Sequence, residues 1–152
     1  MNRTPRIGIL TGGGDVPGLN SVIKSVVYKA TELGCEVLGI RRGWEGLTHL
    51  CPGPELDSEY LRPLDRTNTR GIDRTGGTIL HTSRTNPVKI KKANLPAHIP
   101  GARLKQLEAG EGVYDFTPVV LENIEALGIT FLIVIGGDDT LSFAKTLDAR
   151  GL

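Results

Sequence analysis

The sequence predicts an α/β fold, an open and mostly parallel sheet with helices on both faces. Three observations carry this prediction. A short apolar stretch, Ile7-Gly8-Ile9-Leu10, runs through Thr11 into Gly12-Gly13-Gly14 and then into a segment with helical spacing. Phe131-Leu132-Ile133-Val134-Ile135 runs in the same way into Gly136-Gly137 and a second helical pattern. The 20 glycines and 9 prolines gather at such strand ends and in the middle of the chain, which fits α/β loops better than low-complexity sequence.

In the first unit, glycines without a Cβ let an anion approach the main chain. Asp15 and Pro17 suit the first turn of a helix, whose free N–H groups and dipole favour negative charge. The turn therefore reads as a phosphate site. Neither common fingerprint fits: the dinucleotide pattern needs a glycine where Pro17 stands, and the P-loop spacing from Gly13 to Gly18 is followed by Leu19-Asn20 instead of Lys-Ser/Thr. Leu19, Val22, Ile23, Val26, Val27, Ala30 and Leu33 recur at spacings of three and four, predicting a helix that ends at Gly34. Val37 to Ile40 reads as a buried strand. It completes a βαβ unit with the glycine turn at the carboxyl end of its first strand, the edge where open α/β sheets bind ligands.

From Arg41 to Thr75 the pattern weakens. Gly43-Trp44-Glu45-Gly46-Leu47 reads as a loop or tight turn, and Pro52, Pro54 and Pro63 as turns around short extended pieces. Trp44, the sole tryptophan, is either an aromatic cap on the core or a ligand-stacking surface. Gly76-Gly77-Thr78-Ile79-Leu80-His81-Thr82-Ser83-Arg84 is a second glycine-rich entry. Its arginine is either a phosphate clamp, since the guanidinium fork fits phosphate oxygens, or a surface residue. His49, His81 and His98 lack ligand spacing and receive no metal or base role. Residues 86–112, with Pro87, Pro96, Pro100 and the cluster Lys89, Lys91 and Lys92, read as an irregular excursion with a solvated basic face.

Regular structure resumes with Thr117 as N-cap candidate and Pro118 at the first helical position. Val120, Leu121, Ile124 and Leu127 form the apolar face, and Gly128 ends the helix. The continuous apolar run Phe131 to Ile135 is typical of a strand covered on both faces, which places it at the centre of the sheet. It opens into Gly136-Gly137-Asp138-Asp139-Thr140, followed by a helix marked by Leu141, Ala144 and Leu147 and ending at Gly151. An aspartate beside phosphates repels them unless a cation lies between. Mg²⁺ held through one or two carboxylates and phosphate oxygens resolves the conflict. The plainer role for Asp138 or Asp139 is a helix N-cap.

With 152 residues the chain is read as one domain. A net charge of +1 and 23% charged residues point to neither nucleic acid nor an anionic membrane. Cys35 and Cys51 are too few for a disulfide scaffold and lack metal-ligand spacing, which suggests a reduced, cytoplasmic compartment. No apolar run is long enough to span a membrane, and Met1 to Pro5 has no signal-peptide character. The sequon Asn2-Arg3-Thr4 carries little weight without a secretory route.

The stretches Leu10 to Asn20, Gly43 to Leu47, Gly76 to Arg84 and Ile135 to Thr140 resemble, in order and spacing, the phosphofructokinase family, most of all its pyrophosphate-dependent members. Only Asn86 to Gly112 matches poorly. A lone Gly-Gly-Asp-x-Thr would be unspecific, because NAD kinases and lipid kinases carry a similar element; four motifs in order are specific. The resemblance implies phosphoryl transfer to the 1-hydroxyl of fructose 6-phosphate, with Mg²⁺. It puts Gly14 at the donor phosphates and Arg84 between the donor and the sugar phosphate. Gly137, Asp138, Asp139 and Thr140 would line the donor site, with Asp138 at the metal and Trp44 on the adenine side of ATP users.

ATP-using members carry glycine where Asp139 stands, and often where Phe143 stands. A carboxylate there brings bulk and charge into the path of the α-phosphate of ATP, so pyrophosphate is the expected donor, with ATP the alternative. The family's base and its later sugar-phosphate ligands fall beyond Leu152, so no catalytic residue is identified. The sequence thus reads as the N-terminal, donor-binding part, residues 1–152, of a truncated phosphofructokinase domain; the alternative is a non-catalytic phosphate-binding fragment. Family members form homo-oligomers, and an uncovered sheet edge in such a part favours association or poor solubility.

Overall fold

The computed structural model describes residues 4–53 and 55–151. Asn2 and Arg3 of the sequon, Pro54 and Leu152 lie outside them. The predicted first unit forms as β1 (Arg6–Thr11), α1 (Leu19–Glu32) and β2 (Glu36–Ile40). β1 and β2 are parallel, with Ile7 opposite Val37 and Leu10 opposite Ile40. Further along come α2 (Trp44–His49), β3 (Leu61–Leu64), β4 (Ile90–Lys91), α3 (Gly101–Leu107), β5 (Glu108–Gly110) and β6 (Val113–Tyr114). The chain then forms α4 (Thr117–Ala126), β7 (Phe131–Ile135) and α5 (Asp138–Asp148). The main sheet has the order β3-β2-β1-β7, parallel except for β3.

Strand alternation sends side chains to opposite faces, and each face has its own helices. Ile9 and Val37, joined by Ile7, Ile133 and Ile135, pack with Ile23, Val27 and Ala30 of α1. Leu10, Leu38 and Ile40, with Leu132 and Val134, pack against Trp44 and Leu47 of α2, Val120 and Ile124 of α4, and Phe143 and Leu147 of α5. The predicted open α/β sheet with helices on both faces is what the chain forms.

Four local expectations are corrected. α1 starts at Leu19 with Gly18 before it in the left-handed region (φ 94°), so Asp15 and Pro17 belong to the preceding loop and not to the first helical turn. Within the stretch Gly43 to Leu47, Gly43 is the expected turn (φ 57°), but Trp44 to Leu47 are the start of α2 and not a loop. A Cβ on Gly46 would lie 2.3 Å from the Arg41 carbonyl oxygen, so that glycine serves close packing and not a turn. Thr117 is the first residue of α4 instead of its cap, because the Asp115 carboxylate two residues earlier accepts from both the Thr117 N–H and its hydroxyl. β7, expected at the centre, is an edge strand among the described residues, and Phe131 is 59% exposed.

Residues 86–112, expected to be irregular, contribute β4, α3 and β5 to a small unit with β6, which orders its three strands β4-β6-β5. Ile90, Leu107, Tyr114, Phe116 and Val119 form its apolar centre, with Leu95, Ile99 and Leu104 against it. The prolines break the segment into short pieces without preventing burial.

Candidate functional site

β1 and β7 are neighbouring parallel strands, so the glycine turns that follow them leave the same edge of the sheet. The β1–α1 turn supplies Gly13 and Gly14, and the β7–α5 turn supplies Gly137, Asp138, Asp139 and Thr140. The loop Ser83-Arg84-Thr85-Asn86 lines the same space, and the three segments surround a cleft of about 580 Å³. Gly14, Arg84, Gly137, Asp138, Asp139 and Thr140, singled out in the sequence, all line it. Gly13, Ser83, Thr85 and Asn86 line it too and were not singled out. Gly13 was at hand in the glycine run, whereas the other three carry no pattern of their own.

Thr140 fixes how closely the two turns approach. It is 5% exposed. A Cβ on Gly12 would lie 2.7 Å from its Oγ1, and a Cβ on Gly136 would lie 2.7 Å from its Cβ, so both positions need glycine. The N–H of Gly12 donates to the Ile135 carbonyl (2.8 Å) and that of Gly13 to the Ser83 carbonyl (3.1 Å). Two of the three amides expected to face an anion are therefore used inside the protein. Gly14 is the member of the run whose N–H has no protein acceptor among the described residues.

The helix start at the cleft belongs to α5. The first residues of α1 do not line the cleft, and the Asn20 N–H donates to the Gly77 carbonyl (3.3 Å). In α5 the Gly137 carbonyl accepts from Thr140 and Leu141, both at 3.0 Å, which leaves the amides of Asp138 and Asp139 without a protein acceptor among the described residues. Free amides and the helix dipole favour an anion there. Gly137 occupies the cap position, so neither aspartate is the N-cap; both sit in the first turn.

Arg84 is exposed and makes no ion pair among the described residues. The cleft thus brings together a guanidinium, two carboxylates and a helix start. No cluster of three or more His, Cys, Asp or Glu able to hold a metal occurs among the described residues. No described helix is long and apolar enough to cross a membrane.

Trp44 is not at the cleft surface. It is 2% exposed, its indole N–H donates to the Thr140 carbonyl at 3.1 Å, and its ring meets Phe143 edge-on with centroids 4.8 Å apart. Of the two sequence readings the structure takes the core aromatic. The ring offers no open face for stacking, because Phe143 and α5 cover it.

The phosphofructokinase family profile matches residues 6–152. A pyrophosphate–fructose 6-phosphate 1-phosphotransferase of Streptomyces coelicolor is 38% identical over 143 residues, covering 93% of this chain and 32% of that protein. An ATP-dependent 6-phosphofructokinase 3 of the same organism is also 38% identical, over 148 residues, covering 97% of this chain and 34% of the relative. The chain therefore spans about a third of the length of these curated relatives. Among solved structures, the phosphofructokinase of Pichia pastoris in the T-state superposes with a TM-score of 0.71 at 26% identity, covering 99% of this chain and 14% of that one. Sequence match along nearly the whole chain and shared architecture agree, and the chain belongs to the phosphofructokinase family.

Proposed function

We propose that this chain provides the donor half of a phosphofructokinase site, holding Mg²⁺-pyrophosphate so that one phosphoryl group passes to the 1-hydroxyl of fructose 6-phosphate. The observation that carries it is the meeting, in one cleft, of Arg84, the open amides of Gly14, Asp138 and Asp139, and two carboxylates. The donor set suits Mg²⁺, which binds through one or two carboxylates and fills its remaining positions with phosphate oxygens and water, so no three-ligand protein cage is needed. Asp138 would hold the metal, and the bound ion neutralises charge on the phosphates. The Arg84 fork grips phosphate oxygens in two places and orients them, and the start of α5 stabilises their negative charge.

Asp139 favours pyrophosphate, because its carboxylate would lie beside any third phosphate of a nucleotide. The buried Trp44–Phe143 pair supports the same reading, since neither of its rings has a face free for adenine. One observation favours ATP instead. A second cavity of about 450 Å³ shares Arg84, Thr85 and Asn86 with the donor cleft and adds Glu45, His49 and Lys89, which gives room for a nucleoside. Titration calorimetry with Mg²⁺-pyrophosphate and Mg²⁺-ATP decides between them. Pyrophosphate is expected to bind at least about tenfold more tightly, a difference of ~1.4 kcal/mol. Tighter ATP binding reverses the assignment, and binding of neither ligand removes the proposal.

A further inference from the structure

Asn20 is buried, 2% exposed, on the side of α1 that faces the loop leading to Arg84. Its Nδ2 donates to the Thr75 carbonyl (3.0 Å), its Oδ1 accepts from the Ile79 N–H (2.8 Å), and its own N–H donates to the Gly77 carbonyl (3.3 Å). A side-chain amide both gives and accepts in such a fork, whereas a carboxylate only accepts and alanine does neither. The contact is close. Gly77 has φ +76°, and a Cβ there would lie 2.5 Å from Asp15 Oδ2, so the loop presses directly on the turn that follows β1.

Further along, the Thr11 hydroxyl donates to the His81 carbonyl (2.8 Å) and meets Thr78 Oγ1 at 3.0 Å, and the Gly13 N–H reaches the Ser83 carbonyl. Arg84 is the next residue. Residues 75–86 contain no helix or strand, so the placement of Arg84 depends on these bonds. An apolar residue at position 20 would pack the helix as Ile23 and Val27 do, and burying an amide costs free energy unless its bonds are made. The role of Asn20 therefore lies in the loop.

Resting on the donor reading above, we propose that Asn20 is a positioning residue for donor binding. It does not line the cleft; it sets the loop of Arg84 in register with the glycine turn, and donor affinity depends on it through Arg84.

The test titrates Mg²⁺-pyrophosphate into the wild-type chain, Asn20→Ala, Arg84→Ala and the double variant, and follows amide hydrogen exchange in each. Asn20→Ala is expected to weaken binding about tenfold, the effect of losing two neutral hydrogen bonds. Exchange at Ile79 should accelerate while Ile9 and Leu10 of β1 stay protected. In the Arg84→Ala background the same change should alter affinity less than about twofold, because the residue it acts through is gone. Equal losses in both backgrounds, or unchanged affinity despite faster exchange at Ile79, overturn the proposal. If Asn20→Ala lacks a cooperative melt, the isosteric Asn20→Asp, which keeps the bond from Ile79 and loses the donation to Thr75, is judged by the same criteria. A wild-type chain that binds no pyrophosphate removes the donor reading and this role with it. Binding that depends on Arg84 and not on Asn20 removes this role alone.

Discussion

Replacing Gly12 with alanine tests the wedge at the centre of the cleft. The new Cβ would stand 2.7 Å from Thr140 Oγ1, 2.8 Å from its Cγ2 and 3.3 Å from its Cβ. Thr140 cannot step aside: Gly136 closes on it from the other turn, and its carbonyl is held by the Trp44 indole. Overpacking of this kind costs about 2 kcal/mol, which lowers the melting temperature of a chain this long by roughly 4 to 8 °C. Thr140→Ala removes the two closest atoms and leaves the Cβ at 3.3 Å, a contact that a small shift relieves. In that background Gly12→Ala should cost less than about 0.5 kcal/mol. Gly136 provides the control. There the nearest atom is the Thr140 Cβ itself, 2.7 Å away, which alanine retains. Gly136→Ala should therefore remain costly, about 2 kcal/mol, in both backgrounds. Urea midpoints followed by circular dichroism measure each variant. Equal cost of Gly12→Ala with and without the threonine side chain, or rescue at Gly136, would refute the wedge.

Four further outcomes are expected. Arg84→Ala should weaken Mg²⁺-pyrophosphate binding about 10- to 100-fold, with Arg84→Lys restoring only part because it keeps the charge and loses the fork; an unchanged dissociation constant rules out the clamp. Asp139→Gly should bring ATP and pyrophosphate affinities closer by about tenfold, and ATP binding that does not improve shows that the carboxylate is not the filter. Fluorescence of Trp44, the sole tryptophan, should show buried-type emission that ATP leaves unquenched; quenching by adenine nucleotides would mean that the ring becomes available. The hydrogen bond from Lys24 (2.7 Å) holds the Asp73 carboxyl below its ordinary 3.8. A folded value below the unfolded one gives a stabilising contribution that is present above the unfolded value and lost as pH falls through the folded one. An NMR titration should find Asp73 low in the native chain and restored in Lys24→Met.

Where sequence and structure agree, one physical rule dictated both. The α1 face, the Gly34 and Gly128 helix ends and the strand cores follow from periodicity and backbone freedom, which are local properties. At several of the differences the deciding contact is distant in sequence, whereas at Gly46 and Thr117 it is local, with Arg41 and Asp115. Nothing near Trp44 reveals that its indole finds the carbonyl of residue 140 and its ring finds Phe143. Gly46 reads as a turn signal, although its role is to pass the Arg41 carbonyl inside a helix. The prolines of 86–112 argued for irregular chain, yet Ile90, Leu107 and Tyr114 bury themselves across them. β7 read as central because its five residues are all apolar, a pattern that reports the need for cover and not which strand supplies it.

The position of the cleft follows from where the two helices go after their turns. α1 leaves β1 and packs on the face formed by Ile9 and Val37, whereas α5 leaves the adjacent β7 and packs on the opposite face with Leu10 and Leu38. Two neighbouring parallel strands whose helices part to opposite sides leave a crevice at their carboxyl ends, where ligands of such sheets bind. Each strand–turn–helix unit is legible by itself, because glycine after an apolar run is a local signal. Their adjacency is not legible, since more than a hundred residues separate β1 from β7 and the pairing of Ile9 with Ile133 is set by the sheet. Once that pairing exists, Gly14, Asp138 and Asp139 share one crevice, and the loop of Arg84 lines it with them. Donor binding as proposed therefore depends on the register between β1 and β7.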